Sequence, residues 1–161
     1  ITLEQFKLWF PVDFIKQLDS MFFCGNLGDP IIAQDCNEIL AYLRETNSNI
    51  RLSIHTNGSA RNRRFWEQLA ELKVRVTFGI DGLEDTHKLY RINTDYNQIL
   101  HNAKIFIDAG GVADWHMLVF KHNEHQVDAA RELSKELGCK SFAVKDTSRF
   151  VNGWNEWYRS V

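Results

Sequence analysis

Five short apolar runs alternate with stretches of helical spacing along this chain, and that alternation constrains its fold more tightly than any other feature. Ser20 to Cys24, Ile50 to His55, Val74 to Ile80, Val112 to Phe120 and Ser141 to Val144 read as strands, the first of them as a buried one. Between them, Gln34 to Glu45 puts Cys36, Ile39, Leu40 and Leu43 on one helical face, and Arg61 to Leu72 turns Phe65, Leu69 and Leu72 inward. Glu84 to Tyr90 and Tyr96 to Ala109 are two further helices, the second stopped by Gly110-Gly111. Asn123-Glu124-His125-Gln126 has the spacing of a capping box, and the helix after it ends at Gly138. Thr2 to Leu18 opens the chain with helical spacing, capped by Thr2 and interrupted at Pro11, which can begin a second helix. Such alternation produces a parallel sheet with helices outside it. An opening helix with no strand ahead of it suggests a barrel whose first strand is missing.

The 161 residues suffice for one domain with a substantial core. A formal net charge of -2 gives no bulk attraction to nucleic acid or to an anionic membrane, and no apolar run approaches the ~20 residues of a membrane span. Cys24, Cys36 and Cys139 are too widely spaced for a zinc or iron–sulfur loop and odd in number for a disulfide framework. They read as small buried hydrophobes in a reducing cytoplasm. The start at Ile1 reads like the interior of a longer protein.

Ligands of parallel α/β sheets bind at the carboxyl ends of the strands, so the polar clusters there are the candidate sites. After the first strand, Cys24-Gly25-Asn26-Leu27-Gly28-Asp29-Pro30 lets the backbone approach a ligand closely, with carbonyls and Asp29 able to receive an ammonium group; a plain strand-to-helix turn explains the same residues. After the second, Ser53 and His55 share a face that leads to Thr56-Asn57-Gly58, a polar cluster or simply a turn. After the third, Gly79 permits close approach, Asp81 is placed to accept from ribose hydroxyls, and Arg91 to clamp a carboxylate through two parallel hydrogen bonds. Asp81 as a turn residue and Arg91 as a surface cation remain open. His116 on the fourth strand, and Lys145, Asp146 and Arg149 after the fifth, are pocket candidates or ordinary rim residues.

Taken in order, four blocks resemble the radical S-adenosylmethionine superfamily, in particular its branch extended by a SPASM-type auxiliary-cluster domain. They are Phe22 to Pro30, Thr56-Asn57-Gly58, Ile80-Asp81-Gly82 with His87 and Arg91, and Asn123 before the last helix. The resemblance implies an α/β fold, a partial (β/α) TIM-type barrel with parallel strands, lacking its first β-strand and the Cys-x3-Cys-x2-Cys loop that holds a 4Fe-4S cluster. It implies a barrel over 1–150 and a tail, or the start of a C-terminal extension, over 151–161. It also implies S-adenosylmethionine as cofactor, cleaved reductively to a 5′-deoxyadenosyl radical, with a small-molecule or peptide substrate and an electron-donor protein as partners. Carried over position by position, Gly25, Asn26, Gly28 and Asp29 would contact the methionine ammonium, Thr56 and Asn57 would line the pocket, and Asp81 and Arg91 would face the ribose and the methionine carboxylate. Gly79 stands where many relatives have serine. The cluster ligands would lie ahead of Ile1, so these residues alone would be inactive, and an uncovered barrel edge would favour dimerisation.

Two other readings use the same residues. One is a metal-dependent barrel hydrolase or isomerase built on His55, Asp81, His87 and His116. The other is a degenerate barrel retained as a non-catalytic binding module.

Overall fold

The computed structural model describes residues 1–25 and 28–145. Two short helices, α1 (Leu3–Trp9) and α2 (Val12–Ile15), precede strand β1 (Ser20–Phe23). There follow α3 (Cys36–Thr46), β2 (Arg51–Thr56), α4 (Arg63–Glu71), β3 (Arg75–Gly79), α5 (Glu84–Tyr90), α6 (Tyr96–Asp108), β4 (Val112–Leu118), α7 (Val127–Leu137) and β5 (Ser141–Lys145). Single 3-10 turns at Pro30–Ile32 and Glu124–Gln126 lead into α3 and α7. All four strand pairings are parallel and the order is β1-β2-β3-β4-β5. Sequential order with right-handed crossovers carries every connecting helix to the same side, the arrangement of a barrel rather than of a doubly wound sheet. The five strands thus form an open arc of barrel wall.

The two faces of that wall differ in chemistry. Toward the helices point Leu52, Ile54, Val76, Phe78, Ala113, Trp115 and Met117, each at most 3% exposed. Trp66 of α4 packs on Phe78, which meets Phe106 of α6. Full burial of each such side chain contributes about 1.5–3 kcal/mol, which makes this layer the main source of stability. Toward the inside of the arc point Ser53, His55, Thr77, Asp114, His116 and Ser141, opposite one another in the ladder. Low on this face Arg75 reaches across to Asp114, with Nε–Oδ2 at 2.5 Å and Nη2–Oδ1 at 2.8 Å, and Ser141 donates to the same carboxylate. Burial would lift the Asp114 carboxyl, but these hydrogen bonds hold it below its ordinary range.

Three expectations need correction. The first strand is not buried: β1 is an edge, its residues alternate between exposed and half-buried, and Phe22 is 56% exposed. Phe22 and the exposed Ile1 and Trp9 border an apolar groove of about 900 Å³ along that edge. The helix expected from Arg61 begins at Arg63, because Asn62 is the cap and accepts from Phe65 N. Arg61 instead takes a left-handed φ of 76° and its guanidinium donates to the carbonyls of Ile31 and Ala33, pinning the β1–α3 connection. Finally, Asn123 and Gln126 do not form a capping box, since both side chains turn away from their own helix. Asn123 accepts from Phe120 N and donates to the carbonyls of Leu118 and Asp81. Gln126 accepts from Leu83 N and Thr86 Oγ1 and donates to Asp85. Tertiary partners on the β3–α5 connection outcompete the local cap because they would otherwise be buried unpaired. The cap itself occurs at Thr2, which exchanges hydrogen bonds with Gln5.

Asn123 is fully buried, so Asn123→Ala removes three buried hydrogen bonds at once. A loss of about 2–4 kcal/mol is expected, read as a lowered urea midpoint at unchanged slope, whereas Asn123→Asp should recover only part of it.

Candidate cofactor and substrate cleft

The carboxyl ends of the five strands enclose a cleft of about 510 Å³. Of the eight residues expected to bind the cofactor, seven line it: Gly25, Gly28, Asp29, Thr56, Asn57, Asp81 and Arg91. The eighth, Asn26, and the tail residues Asp146 and Arg149 lie outside the described residues, as does the 1–150/151–161 boundary. His55, Gly79, Tyr90, His116 and Lys145 complete much of the lining.

The lip of the cleft is organised by Asp29. Its carboxylate caps the 3-10 turn at Ile31 N (3.2 Å) and accepts from Thr56 Oγ1 (2.8 Å) and Asn57 N (2.7 Å). Thr56 Oγ1 in turn accepts from Gly58 N at 3.0 Å. The Thr56 hydroxyl is therefore engaged within the protein and shapes the lip rather than reaching into it. The two glycines beside it serve different ends. A Cβ on Gly25 would collide with the Gly28 carbonyl, so the loop closes only with glycine there, while Gly28 has open space where its side chain would be.

Across the cleft, Asp81 is wholly buried. Its Oδ2 accepts from Arg91 Nε at 2.6 Å and its Oδ1 from Leu118 N at 2.6 Å. Burial pushes this carboxyl up, and the Arg91 guanidinium and the Leu118 amide pull it back. Both oxygens of Asp81 are thus occupied within the protein, while the Nη groups of Arg91 have no protein acceptor among the described residues. A Cβ on Gly79 would stand 2.7 Å from Arg91 Nη2 and 3.5 Å from His55 Nε2. Glycine at this position gives the guanidinium the room it occupies, a packing reason that sequence spacing did not disclose.

His87 belongs to the scaffold. Its Nδ1 accepts from Asp81 N at 3.2 Å. Its Nε2 lies 3.0 Å from Thr94 Oγ1, whose own proton goes to Arg91 O at 2.7 Å. That chain assigns the ring proton to Nε2. Burial, with Arg91 nearby, lowers the His87 pKa to about 4. Both ring nitrogens are thus engaged and His87 stands apart from the cleft that His55, Asp81 and His116 line, and no group of three or more residues able to hold a metal ion occurs among the described residues. The cysteines do not gather either. Cys24 is exposed at the end of β1, and burial pushes Cys36 up to about 12 and Cys139 up to about 11, so neither is a thiolate ligand. The described residues therefore fit a nucleoside-linked amino acid but not an iron–sulfur cluster.

Residues 16–134, more than half of the chain, match the family model of the radical SAM superfamily. No curated protein matches. Solved structures share the fold. Streptococcus suis SuiB bound to S-adenosylmethionine is 19% identical over 96% of this chain and 36% of its own, with a TM-score of 0.77. SuiB bound to its precursor peptide SuiA gives 0.78 at 18% identity, over 96% of this chain and 34% of that one. The anSMEcpe structure with bound AdoMet and the Cp18Cys peptide gives 0.69 at 20% identity, over 84% and 40%. Kitasatospora setae TsrM, a radical S-adenosylmethionine methyltransferase with cobalamin and a [4Fe-4S] cluster bound, gives 0.62 at 13% identity, over 84% and 30%. The chain spans about a third of the length of SuiB. No helix among the described residues is long and apolar enough to cross a membrane.

His87 is neutral in the native state well below the ordinary histidine pKa, so the unfolded chain binds its proton first as pH falls. Native stability is whole above about pH 6.5 and declines toward pH 4, by about 2–3 kcal/mol from this residue. His55, His116 and His122 are lowered in the same direction and add to it. Thermal melts from pH 7.5 to 4.5 should show this slope, and His87→Gln should flatten it.

Proposed function

The chain belongs to the radical SAM superfamily, and on that premise we propose that it forms the cofactor-binding wall of an enzyme that cleaves S-adenosylmethionine reductively and abstracts hydrogen from a peptide substrate. The observation that carries the reading is the convergence of seven separately encoded residues on one cleft at the carboxyl ends of the strands. S-adenosylmethionine supplies the 5′-deoxyadenosyl radical when bound. The chain's own residues do the gripping and the screening.

In this reading the backbone carbonyls of Gly25 and Gly28 take the methionine ammonium, and Asp29 ties its segment to the end of β2. Asn57 lines the nucleoside side. Arg91 offers its Nη groups to the methionine carboxylate, pre-aimed by Asp81, so little side-chain entropy is lost on binding. A primary radical requires screening from water, and the concave inner face of this open arc would supply one side of the screen. The cluster would be held by cysteines outside these 161 residues, supplied with electrons by a donor protein, and the chain by itself would not cleave the cofactor. The peptide substrate rests on SuiB and anSMEcpe, whose structures hold peptides.

In the full-length protein, Arg91→Ala should weaken S-adenosylmethionine binding about 10- to 100-fold, as expected for losing a charge-assisted pair, with Asp81→Asn intermediate. Isothermal titration calorimetry checks both, and unchanged affinity in Arg91→Ala would remove the site from this cleft. Gly79→Ser should weaken binding less than Arg91→Ala, since its Cβ would stand 2.7 Å from Nη2 and shift the flexible end of the guanidinium without removing it; a loss as large as that of Arg91→Ala would show that Arg91 has no other seat.

A further inference from the structure

The inner face of the wall carries a second group of polar side chains that the cofactor reading leaves unused. His55 on β2, His116 on β4 and Lys145 on β5 all line the cleft. The ladder sets His116 opposite Gly79 on one side and Ala143 on the other, so small residues flank it and the space above stays open. The rings of His55 and His116 meet edge to face with centroids 5.5 Å apart. No hydrogen bond reaches either imidazole among the described residues, and Lys145 forms no ion pair there. Among the described residues, the carboxylates that line the cleft or stand below it already have protein donors: Asp29 on the lip, Asp81 on Arg91, Asp114 on Arg75 and Ser141. Among the described residues the wall therefore presents two half-buried imidazoles and an exposed ammonium to one cleft with no protein acceptor, donors left to water or to a ligand.

Resting on the proposed function, we propose that His55, His116 and Lys145 form a subsite for a carboxylate of the substrate, seated beside S-adenosylmethionine. Lys145 supplies the charge and the imidazole N–H groups supply direction. Burial and the cations around them lower both histidines, so they serve as neutral donors and leave the single ammonium to balance a single carboxylate. Within a peptide the carboxylate belongs to an acidic side chain or to the C-terminus.

The test uses full-length protein with S-adenosylmethionine at saturation, so that the cofactor's own carboxylate is already served. Three probes are titrated while the imidazole carbon–proton signals of His55 and His116 are followed by NMR. N-acetylglutamate α-amide carries only a side-chain carboxylate, N-acetylalanine only a terminal one, and N-acetylglutamine α-amide neither. Saturable shifts of both histidines with one or both acids, and binding at least about tenfold weaker for the neutral amide, are expected. Lys145→Met should abolish the preference and Lys145→Arg restore it. Equal response to acid and amide, or no response to any probe, overturns the subsite while leaving the cofactor reading intact. Loss of the acid response on adding S-adenosylmethionine also overturns it, assigning the wall to the cofactor. Failure of S-adenosylmethionine itself to bind, measured first in the same sample, sinks the underlying reading and the subsite with it.

Discussion

The buried carboxylate of Asp81 is the joint on which the site turns. One oxygen receives the amide that ends β4, the other receives Arg91 from the end of α5, and the residue's own backbone is held by His87 and Asn123. The end of β3, α5, the end of β4 and the turn before α7 are thereby joined at a single residue, and Arg91 lines the cleft with its outer nitrogens unpaired among the described residues. A buried charge is tolerated only when paired and hydrogen-bonded, and here the pairing partner is also a residue that lines the cleft, the one proposed to hold the cofactor's carboxylate.

A parallel sheet normally buries both faces. This one buries only the face under the helices, and its other face is built from histidine, serine, threonine, aspartate and arginine. That division follows from curvature: an arc of barrel wall has an inside that a ligand and further residues must share, so apolar packing is confined to the outside. The Arg75–Asp114–Ser141 group closes the lower part of the inside with protein partners, whereas the upper part, at the strand ends, keeps its donors unmatched. The polarity of the inner face thus rises from self-satisfied at the bottom to ligand-ready at the rim.

Local sequence was a good guide wherever a local interaction decides. The helix from Glu84 to Tyr90 has the expected bounds, Gly138 adopts the expected left-handed cap, and the Cys36, Ile39, Leu40 and Leu43 face is buried as its spacing indicates. It was a poor guide where distant partners compete. Asn123 and Gln126 carry the spacing of a cap but are recruited by the β3–α5 connection. The aromatic run of β1 suggests burial but lies on an edge. Gly79 looked like a lost hydroxyl and is in fact the space that Arg91 fills, which no signal in the one-dimensional pattern encodes.

From the sequence alone came the alternation of strands and helices, hence the parallel wall, and the polar turns at successive strand ends, hence the candidate residues. Those are consequences of periodicity and of backbone preference, which act over a few residues. Tertiary structure alone decided which of those residues line one cleft with groups left unpaired among the described residues and which are braces. Thr56 and His87 turned out to be engaged internally, Arg91 to be held and pointed by Asp81, and His55, His116 and Lys145 to face one cleft. Such divisions depend on which donors and acceptors meet across β2 to β5, and that pairing exists only once strands far apart in the chain lie side by side.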